Sequence, residues 1–317
     1  MTAPGGAAAI RARGLRKSFG PQVVLDGIDL EVPEGTVFAL LGPNGAGKTT
    51  IVHILTTLLR PDAGEVSVGG IDILARPSAV RGLIGVTGQI TAVDPQFTGA
   101  ENLRLMADLN HLGRRGPAKV DELLARFDLT ESAAKPVQAW SGGMRRRLDL
   151  AMTLVGEPRI IFLDEPTTGL DPRSRRVMWD IVVELVDDGT TVLLTTQYLE
   201  EADRLADRIA VLDGGTLVAS GTPTELKRLV PGGTIRLEFA DETELSRAAG
   251  ALGRGTVDEQ ALALQLPGDD GVAGLRHLLD RLDAEAIRVD AVSVRPVDLD
   301  DVFLSLTGHP GSQEIAR

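Results

Sequence analysis

The chain has no cysteine. Disulfides and thiolate metal sites are therefore excluded, and an intracellular setting is compatible with the composition. Histidine is scarce as well. His53, His111, His277 and His309 stand far apart and show no metal-ligand spacing, so they read as ordinary surface or core residues. Long apolar runs are missing. Nothing approaches the roughly 18–20 residues that a membrane-spanning helix needs; residues 36–41 and 160–163 are the longest candidates and are short enough to be buried strands. The Ala/Gly-rich N-terminus carries no basic segment ahead of an apolar core, and reads as a loose tail, not a signal peptide. Positive charge is in deficit: 33 Lys+Arg face 45 Asp+Glu, a net charge of -12. A surface of that sign does not displace the counterions of nucleic acid, nor adhere to anionic lipid by charge alone.

What is present is enough for a core. Of 317 residues, 43% are hydrophobic, which suits one large domain plus a small one. Residues 10–15 and 23–32 alternate apolar and polar, as half-buried strands do. An apolar strand at 36–41 runs into a glycine-rich loop, and 49–59 reads as helix, closed by Arg60-Pro61-Asp62-Ala63-Gly64. Residues 101–110 and 117–129 read as an inserted helical pair. Helix is predicted at 142–155, 174–186 and 199–206, with strands at 159–163, 190–195 and 209–212. Alternation of this kind predicts a layered α/β domain with a largely parallel sheet. Pro231-Gly232-Gly233 is the predicted boundary. Beyond it the order is strand (234–239), helix (242–250), two strands (near Thr256 and at 261–266), helix (272–283), strand (287–294) and helix (299–306), a small α+β unit on the split-βαβ, ferredoxin-like plan. The expected organisation is a tail (1–9), a large α/β domain (10–230, helical insertion about 95–150) and an accessory domain (231–317).

Two motifs carry chemistry. Gly42-Pro43-Asn44-Gly45-Ala46-Gly47-Lys48-Thr49 matches the phosphate-loop pattern between a strand and a helix. Its glycines let backbone N–H groups turn inward onto phosphate oxygens, and the helix adds its positive dipole end. Lys48 supplies a cation to the β/γ-phosphates, and the Thr49 hydroxyl is a ligand for Mg²⁺; Thr50 follows in the first turn. Asp164 and Glu165 end a buried strand. There Asp164 can hold Mg²⁺ through water, and Glu165 can orient and deprotonate an attacking water.

Between these elements lies Trp140-Ser141-Gly142-Gly143-Met144-Arg145-Arg146-Arg147-Leu148, which resembles the signature sequence of ABC ATPases. Gly169-Leu170-Asp171-Pro172 looks like their D-loop and Thr87-Gly88-Gln89 like their Q-loop. The order and spacing match from Ile10 to about Gly221. By itself Ser141-Gly142-Gly143 opens a helix and makes a second anion site. The resemblance implies a P-loop NTPase fold with a helical subdomain, and a head-to-tail dimer in which the signature of one subunit closes on the ATP held by the other. It further implies that Gln89 contacts metal and water, that Phe19 stacks on adenine, that Asp171 lies at the nucleotide interface, and that Gln197 stands where the family carries its switch histidine. A glutamine can donate there but cannot ionise. That residue, with the segment from Leu299 to Gly308, resembles the daunorubicin/doxorubicin resistance ATP-binding subunits.

The implied function is ATP hydrolysis, with ATP and Mg²⁺, driving export of a hydrophobic drug-like or lipid-like substrate. The chain would work at the cytoplasmic face of the membrane with a separate permease, and with no nucleic acid. The alternative is a non-transport ABC ATPase acting on the ribosome or another macromolecular complex. The chromosome-type version of that alternative inserts a long coiled coil between phosphate loop and signature, whereas only about 90 residues separate Lys48 from Ser141, with no heptads.

Overall fold

The computed structural model describes residues 8–88, 91–230, 232–253, 255–268 and 271–308. The chain forms two compact units, and the division falls between Pro223 and Thr224, ahead of the predicted Pro231-Gly232-Gly233 boundary. The short helix Pro223–Lys227 stands at that division.

The first unit is built on a six-stranded sheet in the order Thr216–Gly221, Arg208–Asp213, Val37–Leu41, Thr191–Thr196, Ile160–Asp164, Ile84–Thr87. All neighbours pair in parallel except the first two strands, which form an antiparallel hairpin. The three middle strands are buried throughout, which is why they read as unbroken apolar or β-branched runs.

This six-stranded sheet is the largely parallel one expected; a second sheet was not foreseen. It is antiparallel, in the order Gln22–Pro33, Ala8–Phe19, Ala63–Val68, Ile71–Asp72. Its last two strands are short and flanked by glycines, which hid them among turn signals. The predicted tail also gives way to strand earlier: Ala8 pairs with Pro33, and Ala9 is buried. The two sheets share one core with the helix Lys48–Leu55, in which Ile10, Leu15, Leu25, Phe38, Ile51 and Phe162 are members. That helix stops four residues before the predicted end at 59. The Thr56 hydroxyl donates back to Val52 O, and Thr57 adopts a φ of 66°, which ends helical geometry.

Helices Gly99–Leu109, Gly116–Arg126 and Gly142–Leu154 fall in or at the edge of the predicted helical insertion of this unit. The first opens with a reciprocal capping box between Thr98 and Glu101. Trp140 is buried against Gly99.

The second unit has the element order β-α-β-β-α-β plus a last helix: Gly233–Glu238, Glu242–Leu252, Thr256–Asp258, Ala263–Gly268, Gly271–Ala284, Ala291–Arg295 and Leu299–Thr307. The four strands pair antiparallel, with Gly233–Glu238 and Ala263–Gly268 in the middle. Ile235, Leu237, Leu264 and Leu266 pack with Leu245, Ala248, Leu278 and Leu282 of its first two helices. The predicted strand at 287–294 begins only at Ala291. Ile287 instead belongs to the turn after the preceding helix, where its N–H donates to Leu282 O. Among the described residues no helix is long and apolar enough to cross a membrane.

Candidate functional site

The strand Val37–Leu41 delivers the chain from the middle of the sheet into the loop Gly42–Gly47. The helix Lys48–Leu55 follows at once. Gly47 is required twice over. Its φ is 109°, and a Cβ there would lie 2.7 Å from Leu25 Cδ2. As the helix N-cap it brings no side chain to the first-turn amides, so these face outward with the positive dipole end behind them. The Lys48 ammonium is buried in the loop and donates to Gly42 O at 2.7 Å and Pro43 O at 3.2 Å. Burial pushes its pKa down, against the opposing pull of Glu165 and Asp164.

The carboxylates arrive from two strands away. Asp164 ends the strand Ile160–Asp164 and pairs in register with Thr195. Its carboxylate accepts from Thr49 Oγ1 at 3.2 Å and from Thr195 Oγ1 at 2.5 Å. Glu165 is the first residue past the strand and has a φ of 50°, a left-handed backbone that costs a bulky residue on the order of 1–3 kcal/mol. Its N–H donates to Thr195 O at 3.1 Å and Thr195 Oγ1 at 3.2 Å. Its carboxylate accepts from Thr168 Oγ1 at 3.2 Å and lies 3.9 Å from Lys48 Nζ. Asn44, Gly45, Gly47, Lys48, Thr49, Thr50 and Glu165, with Val24, line a cleft of about 510 Å³.

The other predicted residues that the structure describes, Asp164 aside, are not in the lining of this cleft. Ser141 is the N-cap of Gly142–Leu154, and its hydroxyl accepts from Met144 N–H at 3.2 Å. Asp171 caps Pro172–Asp187, accepting from the amides of Arg173 and Ser174 at 3.0 Å and from Ser174 Oγ at 2.6 Å. These bonds, the Ser174 hydroxyl first, hold its carboxyl below the usual range. Ser141, Gly143 and Asp171 share a second cleft. Gly143 is pressed onto the neighbouring helix: a Cβ there would lie 2.4 Å from Ser174 Oγ. Gly142 has room. Ala46 is buried beneath the phosphate loop, its N–H donating to Pro43 O. Phe19 ends its strand half-exposed, with Lys17 Nζ 5.6 Å from the ring centroid, and is not among the residues lining the phosphate cleft. Gln197 follows the strand Thr191–Thr196 directly and is partly buried. Gln89 lies outside the described residues.

Sequence reasoning missed four residues around this site. Thr195 joins the two carboxylate positions. Arg146 and Asp149 form a buried ion pair at 3.2 Å behind them. Glu201, fully buried, accepts from Thr167 Oγ1 at 2.8 Å and Trp179 Nε1 at 3.0 Å. Its burial pushes the carboxyl pKa up, against those hydrogen bonds. A threonine in a β-branched strand and a charged residue in an amphipathic helix carry no sequence signal that separates such roles from ordinary ones.

The chain matches the ABC transporter family model over residues 25–168, a span from Leu25 past the loop to the carboxylate pair. It is 50% identical over 307 residues to the daunorubicin resistance ATP-binding protein DrrA2 of Streptomyces coeruleorubidus, covering 95% of each chain. The chain belongs to the daunorubicin/doxorubicin resistance group of ABC transporter ATP-binding subunits. Members of this wider family also resemble it at lower identity: the Nod factor export ATP-binding protein I of Ralstonia nicotianae is 37% identical over 301 residues, covering 95% of this chain and 94% of that one. Among solved structures, one described as the ATP binding subunit of an ABC transporter superposes with a TM-score of 0.62 at 27% identity, over 70% of this chain and 92% of that chain. As an ABC ATPase the subunit binds and hydrolyses ATP, and the first cleft, with its loop, lysine and paired carboxylates, is where that chemistry fits.

Proposed function

We propose that this subunit drives export of a hydrophobic drug-like or lipid-like molecule through a separate membrane permease. It would sit at the cytoplasmic face of the membrane and work as a head-to-tail pair of ATP-binding subunits. The observation that supports this reading is the reach of the likeness. It extends over 95% of the chain, through the C-terminal unit and well beyond the segment 25–168 matched by the ABC transporter model, to proteins named for drug resistance and for export.

The cleft supplies the chemistry. The loop amides and Lys48 grip the β- and γ-phosphates. Glu165 takes the proton of an attacking water and turns it onto the γ-phosphorus. Thr168, bonded to the Glu165 carboxylate, fixes its direction. Thr49 Oγ1 and the Asp164 carboxylate are hard oxygen donors 3.2 Å apart beside the loop. This donor set suits Mg²⁺, which takes one or two protein ligands and completes its shell with phosphate and water. Among the described residues no cluster of three or more acidic or histidine side chains competes for a metal. The ion would neutralise charge on the phosphates. Gln197, following the strand that carries Thr195, donates to the γ-phosphate without changing charge, and Gln89 is the further contact to metal and water. Phe19 stacks on adenine. Ser141, Gly142 and Gly143 of one copy, with Asp171, close over the nucleotide of the other.

The test first asks whether a multi-span membrane protein co-purifies with the subunit, and then uses inverted membrane vesicles carrying the two together. Addition of ATP should drive daunorubicin uptake, and vesicles with Glu165→Gln should show none. Uptake at the wild-type rate by the variant sinks the reading. In detergent, Glu165→Gln with Mg–ATP should sediment with two ATP-binding subunits together; separate subunits would remove the head-to-tail arrangement.

A further inference from the structure

Arg146 touches neither cleft, yet it carries the densest set of hydrogen bonds behind the carboxylates. It lies on Gly142–Leu154 and is 6% exposed. Its Nε donates to Pro166 O at 2.9 Å, Nη1 to Gly88 O at 2.7 Å, and Nη2 to Asp164 O at 3.2 Å and Glu165 O at 3.4 Å. Nη1 also reaches Asp149 Oδ2 at 3.2 Å. Asp149 accepts the Ala92 amide on its other oxygen at 3.0 Å. One ion pair thus joins Gly88 and Ala92 to three successive carbonyls at 164–166.

A buried guanidinium is costly unless all sides are bonded. Burial lowers its pKa, and Asp149, Asp164 and Glu201 pull it back, so the charge is retained among acids and carbonyls. A packing role alone would be met by an apolar side chain. What an arginine adds is a rigid planar fork with donors in fixed directions. Here the fork spans the strained turn of Glu165. That residue's N–H is held by Thr195 and its carbonyl by Arg146, so the left-handed conformation is gripped from both ends.

We propose that Arg146 is a positioning residue for ATP hydrolysis: it holds the Glu165 peptide so that the carboxylate faces the attacking water, and it ties that peptide to Gly88 at the end of the neighbouring strand. Asp149 completes the device by fixing the guanidinium and holding Ala92. The inference rests on Glu165 acting as the base. Lysine in place of Arg146 keeps the charge but cannot present a fork, and glutamine keeps some hydrogen bonding without charge. A displacement of about 1 Å in a reacting group costs on the order of a hundredfold in rate.

The experiment measures steady-state turnover of the full chain with Mg–ATP, TNP-ATP affinity and thermal melting for the wild type, Glu165→Gln, Arg146→Lys, Arg146→Gln and Asp149→Asn. We expect kcat to fall at least tenfold, and up to about the hundredfold of that misplacement cost, in both Arg146 variants, with KM and TNP-ATP affinity within about twofold. Lysine should be the milder of the two, and Asp149→Asn should fall by about threefold, a smaller share of the same effect. Turnover within twofold of wild type in the Arg146 variants, or a loss carried wholly by KM, overturns the proposal. If the Arg146 variants melt below the assay temperature, Asp149→Asn decides by the same criterion, unchanged kcat overturning it. Full turnover by Glu165→Gln would instead overturn the reading of the base. Loss in Glu165→Gln with normal Arg146 variants overturns only this inference.

Discussion

Two helices of the ATPase unit have glycines at their start, before the first turn in one and within it in the other, and they begin differently. Lys48–Leu55 starts at Gly47, which has no side chain to spend on the first-turn amides. Gly142–Leu154 starts at Ser141, whose hydroxyl already holds the Met144 amide. Behind the first lie a lysine and two carboxylates supplied by a different strand. Beside the second lies Asp171, engaged in capping its own helix. The first terminus is assembled for a phosphate within one chain. The second has part of its donor capacity satisfied internally, and suits a ligand already held by something else. That asymmetry fits the proposed arrangement, in which one subunit would grip the nucleotide and another would cover it.

The comparison can be broken most directly at Lys48. Lys48→Ala should lower kcat/KM for ATP by roughly a hundred- to a thousandfold, read as phosphate release. TNP-ATP binding should weaken with it. An unchanged affinity would mean that the first terminus is not the phosphate site. Gln197 tests whether a neutral donor completes that same site. Gln197→Ala should lose about a hundredfold in turnover, the lower end for one lost transition-state donor, while Gln197→His stays near wild type. Equal rates for Ala and wild type would remove the contact. At the second terminus the effect is smaller in the single chain. Ser141→Ala should cost about 1 kcal/mol of stability, as for other N-caps, and leave TNP-ATP affinity of the isolated subunit unchanged. In the Glu165→Gln background it should abolish ATP-driven pairing seen by sedimentation; persistent pairing would make Ser141 a cap and nothing more.

The smallest effect is confined to acid. Asp171 has a pKa depressed by the Ser174 hydroxyl and the capping amides. A depressed carboxyl stabilises the fold above its unfolded value, 3.8, and loses that contribution as pH falls through the lower folded value. Asp171→Asn should therefore flatten the melting temperature against pH below about 4 and change little of its slope at neutral pH. A wild-type acid limb in the variant would mean that the cap is not the group titrating.

The phosphate loop was readable in sequence because each residue type answers a local demand: Gly47 for its backbone and its clearance, Lys48 for charge, Thr49 for a hydroxyl. Asp164 and Glu165 were readable because a buried strand tolerates acids only at its end. Arg146 was not. Its partners are carbonyls at 88 and 164–166, which no side-chain pattern announces, and in sequence it is only one of three arginines within the signature-like stretch. Thr195 was hidden by its suitability for a strand. The antiparallel sheet was missed where a six-residue strand contains Gly64 and a two-residue strand follows Gly70. The C-terminal unit was legible in element order but not in edges, since its strands alternate weakly and end in polar turns.

Gly143 has a consequence for how variants of the second terminus are interpreted. Its missing Cβ lets Gly142–Leu154 touch Ser174 of Pro172–Asp187 directly. An alanine there would act as a wedge, prising two helices apart and tilting Ser141 and Asp171 together. A dead Gly143 variant would thus report a bent lever, and only a rescue by trimming Ser174 to glycine would separate that from a lost handhold on the nucleotide.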